Sequence, residues 1–202
     1  MKQMPIFEEV LTRLLRQSGL WMKLLIGGLL SFVPVLNLFA FGFLLRLSEG
    51  VQQRGSLALP AWSDWRGLFF DGLRFAVVWL AYWLLPLLIA LAFSGVLTAI
   101  SLEGLAYLVL ASVFVLSPVL FGAALYRYNR RRDFRDLLDL PLILRMGYLA
   151  FPKLIVPAIF FLGLFALCPP LYGFTLFAGF VLLIVQTVLS FRAVEQARSL
   201  AL

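Results

Sequence analysis

The sequence predicts an all-α fold, a polytopic transmembrane helical bundle, and three observations predict it. Of the 202 residues, 63% are hydrophobic and only 13% are charged, whereas about a quarter of a soluble domain of this size is charged. A water-soluble fold cannot bury that much apolar surface, so lipid must solvate most of it. The apolar residues fall in long runs separated by short polar segments. The 17 Lys and Arg, which set the net charge at +7, gather in those segments, as positive residues do in cytoplasmic juxtamembrane loops.

The whole chain reads as one membrane domain. Residues 1–18 carry an interfacial amphipathic helix: in 5–17, Ile6, Phe7, Val10, Leu11, Leu14 and Leu15 recur at helical spacing, with Glu8, Glu9, Thr12, Arg13 and Arg16 opposite. The same charges occupy the place of a signal-peptide apolar core, so no cleavable leader is expected. Residues 24–45 are apolar except for Ser31 and Asn37. At 1.5 Å per residue they reach about 33 Å, enough for one span. The alternative is a re-entrant hairpin broken near Pro34 and Asn37.

Residues 60–74 return to an interfacial pattern, with Trp62, Trp65, Leu68 and Phe69 on one helical face and Asp64, Asp71 and Arg74 on the other. Four full spans follow, at 75–100, 105–126, 146–168 and 171–191. Pro86 is expected to kink the first, and Lys153 can snorkel from the third. Between the second and third lies the basic cytoplasmic segment 127–145.

Charge placement orients the chain. The 17 basic residues divide as four before Leu24, four in 46–74, seven in 127–153 and two in the tail, and none in the turns 101–104 and 168–170. Those turns are therefore expected to face outward, with the C-terminus cytoplasmic. A single span at 24–45 would put Lys2, Arg13, Arg16 and Lys23 outside, so the hairpin, with the N-terminus also cytoplasmic, is the preferred reading. A re-entrant apex must be covered by protein.

A degenerate internal duplication is also visible. Phe41-Gly42-Phe43-Leu44-Leu45-Arg46 resembles Phe121-Gly122-Ala123-Ala124-Leu125-Tyr126-Arg127. Asp64-Trp65-Arg66-Gly67-Leu68 follows the first, and Asp133-Phe134-Arg135-Asp136-Leu137 follows the second. The spacings differ, 81 residues between the arginines and 69 between the aspartates, so chance similarity stays open.

Segments 27–47 and 59–78 resemble the prokaryotic family called domain of unknown function 4013. The match is carried by Leu59-Pro60-Ala61-Trp62-Ser63-Asp64-Trp65, then Leu68-Phe69 and Asp71-Gly72-Leu73, after a Pro-containing apolar segment that ends in Gly and Arg. The resemblance covers roughly Leu24 to Arg192 and implies a multi-pass protein of the prokaryotic cytoplasmic (inner) membrane. Ala61 and Ser63 stand where it would put acidic residues, which argues against a cation role for that helix. It implies no activity.

Reactive chemistry is hard to assemble from these residues. There is no histidine, which removes the commonest general base and metal ligand. The expected spans hold no Asp or Glu, the groups that ion-coupled transporters use. Ser31, Ser94, Ser112, Ser117 and Ser190 have no evident base, and serines in spans more often satisfy backbone groups. The lone Cys168 forms no intrachain disulfide. No cofactor, metal or nucleic acid is expected.

Two features stand out as candidate sites. Arg127, Arg130, Arg131, Arg132 and Arg135, with Trp62 and Trp65 as interfacial anchors, form a candidate contact for anionic headgroups, at on the order of 1 kcal/mol per basic residue. The plainer reading of the arginines is a topology signal with local pairs Arg132–Asp136 and Arg135–Asp139. Pro34 and Asn37 mark a helix break, where Asn37 could cap the helix, hydrogen-bond across a helix pair, or meet a headgroup or solute. The functional expectation is a non-catalytic subunit, scaffold or bilayer-shaping element that contacts membrane lipids and a membrane-protein partner or second copy. A facilitator for lipid or an uncharged solute, running near Pro34, Pro86 and Pro118, is the alternative. An intramembrane enzyme is the third reading.

Overall fold

The computed structural model describes residues 7–199 apart from 168. Cys168 and the first two residues of the expected 5–17 helix thus lie outside the described residues. Among the described residues eight α-helices follow one another: α1 Phe7–Leu15, α2 Leu20–Ser31, α3 Asn37–Arg54, α4 Trp65–Trp79, α5 Leu85–Ala99, α6 Glu103–Arg131, α7 Leu140–Leu167 and α8 Tyr172–Ser199. No strand occurs among the described residues, and the all-α membrane bundle is the observed class. Among the described residues three stretches are long and apolar enough to cross a bilayer: Trp65–Ala99, Glu103–Arg131 and Tyr172–Ala193. A fourth is gained if the two bent halves of α7 count as one.

The 24–45 segment is not one helix. It breaks at Phe32–Leu36, where Pro34 lies, and the two arms run in opposite directions. Gly27 and Gly28 of α2 pack on Phe177 and Phe174 of α8, and Phe32 meets Tyr172, so α2 is antiparallel to α8. In α3, Phe43 meets Phe177 and the Val51 carbonyl meets Arg192, so α3 is parallel to α8. The arms therefore make a helical hairpin with its apex beside the start of α8.

α3 and α4 pack backbone against backbone. A Cβ on Gly42 would overlap the Leu68 carbonyl, and one on Gly72 would overlap the Leu38 carbonyl. Two reciprocal glycines thus let the backbones touch, the small-residue packing that joins helices in lipid. The expected interfacial helix at 60–74 is not a separate element. Residues 55–64 are irregular, the helix opens at Trp65, and it continues through a π-helical turn, Leu80–Leu84, into α5. That turn ends two residues before Pro86, whose ring would clash with a carbonyl one turn back in a regular helix.

α7 also departs from expectation. Instead of a span over 146–168 it starts at Leu140 and bends by 86° between Leu140–Pro152 and Leu154–Phe161. Pro152 at the junction removes a backbone donor and kinks the helix. The second half pairs with α8 as a hairpin, with Phe161 against Gly179 and Phe180. The first half crosses α6, where Gly147 faces Leu120.

The core joins α3, α4, α6 and α8 through aromatic rings. Phe75, Phe121 and Phe180 meet pairwise at 5.3–6.1 Å, with Trp83 and Phe161 completing the cluster. α8 is the central helix, its apolar window 67% buried, against 28% for Trp65–Ala99. The α5–α6 hairpin leaves Ile89, Val96, Ile100 and Leu108 about 60% exposed.

Candidate functional site

The basic segments, far apart in sequence, converge at one end of the bundle. α3 brings Arg46 and Glu49, the entry to α4 brings Asp64, Asp71 and Arg74, the end of α6 brings Arg127 to Arg132, and α8 brings Arg192 and Glu195. At the opposite end lie the hairpin apex, the Ile100–Leu102 turn and the start of α8.

Two networks are built there. Arg46 donates from Nε to Asp71 at 2.8 Å and from Nη2 to Asp64 at 2.9 Å, and Arg74 donates to the other Asp71 oxygen at 3.0 Å. Asp64 also caps α4 by accepting from the Gly67 N–H, the standard role of an aspartate before a helix. The hydrogen bond from Arg46, then that from Gly67, holds the Asp64 carboxyl below the usual carboxylate range. In the second network Arg132 grips Glu49 with two bonds of 2.8 and 2.6 Å, and this bidentate contact raises the Arg132 pKa. Beside it Asn129 donates to Ser48 at 2.6 Å, and Glu195 accepts from Tyr126 at 2.7 Å and Arg130 at 3.0 Å.

The arginine patch is thereby divided. Arg132 does not pair with Asp136, because α6 ends at Arg131 and the chain turns away. Asp136 instead receives Arg127 at 3.4 Å. Nor does Arg135 pair with Asp139: residues Phe134–Leu138 form a 3-10 helix, so four-residue spacing does not align them. Asp139 accepts from the Leu142 N–H and so caps α7. Arg131 and the Arg135 guanidinium are exposed, with no ion pair among the described residues.

The remaining candidates are placed as follows. Trp62 lies in the loop rather than on α4, and its ring stacks on Phe43 at 4.5 Å and on Trp65 at 6.0 Å. Trp65 is half-exposed. Pro34 sits at the exposed apex. Asn37 is the first residue of α3 but does not cap it, since Leu36 holds the cap position without a side-chain bond. The Asn37 Oδ1 is buried without a partner. Ser31, Ser112 and Ser117 each donate to the carbonyl four residues back, and Ser94 to Ala106 across the α5–α6 pair. Two clefts open at the charged end. One, of about 470 Å³, is lined by Arg46, Glu49 and the Leu59–Pro60 loop, and the other, of about 290 Å³, by Asn129, Arg130, Arg192 and Glu195.

Residues 26–191 match a family described as a protein of unknown function, DUF4013. The chain belongs to that family. No curated protein and no solved structure matches it. The DUF4013 match takes in the end of α2, all of α3 and the pairs Arg46–Asp71 and Arg132–Glu49, while Arg192 and Glu195 fall beyond it.

Sequence reasoning missed the partners of the DUF4013 arginines. Asp71 is expected only on the polar face of 60–74, and the sequence marks Glu49 and Glu195 in no way. The duplication held the available signal: Arg46 and Arg127 correspond, and each pairs with an aspartate of the segment that follows. Two residues further on, Ser48 and Asn129 also correspond, and they hydrogen-bond to each other.

Proposed function

We propose that this chain is a non-catalytic integral membrane protein, an accessory subunit or scaffold whose charged end rests on anionic headgroups of the cytoplasmic leaflet. The carrying observation is the division of the arginines. Arg46, Arg127 and Arg132 are spent on carboxylates that tie helices together. Arg131 and Arg135 project from the same end, free to meet phosphate.

The orientation belongs to this proposal. Because the basic segments share one end, the preference of positive charge for the cytoplasm puts that end inside, together with the start of α2 and the end of α8. The α2–α3 hairpin then enters and leaves from the cytoplasmic side. α2 has 12 residues, about 18 Å of helix, short of the roughly 30 Å core, which suits a re-entrant element. The membrane is the cytoplasmic one.

Native mass spectrometry from bilayers of mixed phosphatidylglycerol and phosphatidylethanolamine tests the reading. Wild type should retain phosphatidylglycerol selectively. Arg131→Ala with Arg135→Ala should weaken retention by roughly 2 kcal/mol, about thirtyfold. Equal retention of the two lipids by wild type, or unchanged selectivity in the double variant, would remove headgroup contact from the account. A protein partner leaving the membrane in fixed ratio would identify the subunit role.

A further inference from the structure

The first half of α7 has an unusual position and an unusual outer face. Its second half runs along α8, a candidate span, and the 86° bend therefore turns Leu140–Pro152 nearly perpendicular to that axis. Ile143, Gly147 and Ala150 bury one face of this half against the bundle. The exposed side carries Leu140, Leu144 and Tyr148, 50%, 48% and 82% exposed. Leu138, just before the helix, is 82% exposed. Arg145 lies among these apolar groups, and Arg131 and Arg135 flank them, all three exposed.

We propose that Leu140–Pro152 is an in-plane insertion helix, and that its outer face is occupied by the lipid monolayer itself. Leu138, Leu144 and Tyr148 enter among the acyl chains, while Arg145, Arg131 and Arg135 reach back to the phosphate layer. The charge pattern favours lipid over a protein partner. Three arginines border an apolar strip, as on helices that lie in an interface with their apolar face about 5–10 Å below the headgroups, and long basic side chains snorkel from that depth. A 13-residue segment along the membrane normal would instead drive Arg145 about 8 Å inward from Leu140. The inference deepens the proposed lipid contact and rests on the charged end facing one leaflet.

Nitroxide labels read the depth directly. Cysteines replace Leu140, Leu144 and Tyr148 one at a time, with Val156 and Ile159 as references on the second half of α7, all in a Cys168→Ser background. The protein is reconstituted in phosphatidylcholine, so the result is independent of anionic-lipid selectivity and the two readings can fail separately. The reference pair should differ in depth by about 4–5 Å, the rise of three residues along the normal. Labels at 140, 144 and 148 should be oxygen-accessible and share one shallow depth. A depth change of about 6 Å for each four residues among them would overturn the proposal. So would exposure of all three to a water-soluble relaxation agent, or protection from both agents, which would mean a second copy or another protein covers the face.

Discussion

Asp71 accepts from two arginines, Arg46 and Arg74, while only 10% of its side chain meets solvent. Replacing it by Asn takes the shared negative charge and one of the two acceptor oxygens from these guanidinium groups at a crowded helix junction. Asp71→Asn should lower stability by about 1.5–3 kcal/mol, the range for hydrogen bonds to charged groups, seen as a lower melting temperature in detergent. Asp64, exposed, should cost less as Asn, which still caps a helix. Because the Asp64 carboxyl is held below its usual range, its contribution is complete above roughly pH 4 and is lost as pH falls through the lower folded value. Melting temperature followed from pH 7 to pH 3 should therefore show an acid-side loss that is smaller in Asp64→Asn. The two pairs of Arg46 were not legible from local spacing, because its partners are 18 and 25 residues away. Local spacing instead suggested Arg132–Asp136 and Arg135–Asp139. Helix spacing predicts neighbours only while the helix continues, and α6 stops at Arg131.

At the scale of elements, glycines divide by what a methyl group would meet. Gly42 and Gly72 each face a backbone carbonyl of the partner helix, and a carbonyl cannot rotate away. Gly42→Ala or Gly72→Ala should separate α3 from α4 and destabilise by about 1–3 kcal/mol, the usual cost of overpacking. Gly95, in helical α5 with nothing within 4 Å, should do the reverse: Gly95→Ala should gain about 0.5–1 kcal/mol from helix propensity. Thermal unfolding of the three variants side by side checks both signs. The break at Phe32–Leu36 was readable, because Pro34 and Asn37 interrupt the apolar run there. The bend in α7 was not. Pro118 sits inside α6 without breaking it, so proline alone does not announce a right angle. The difference lies in packing, since Ile143, Gly147 and Ala150 lie against the bundle on a half-helix that crosses α6.

For the whole molecule, hydrophobic composition and positive-charge placement were sufficient to foresee a helical membrane bundle, because both reflect the solvent rather than any particular contact. The convergence of distant basic segments on one end follows from helix directions, which the sequence supplied only through the charge rule. The central claim is that this end, with the N-terminal helix and the close of α6, lies on one side of the membrane, and that the α5–α6 turn lies on the other. Cysteines introduced one at a time at Glu8, Glu103 and Arg131 in Cys168→Ser, probed with a membrane-impermeant maleimide in intact and opened cells, test it most directly. The account predicts labelling of position 103 in intact cells, and of positions 8 and 131 only after opening. Labelling of position 8 together with 103 in intact cells would mean that residues 24–45 cross the membrane once, and would contradict the account.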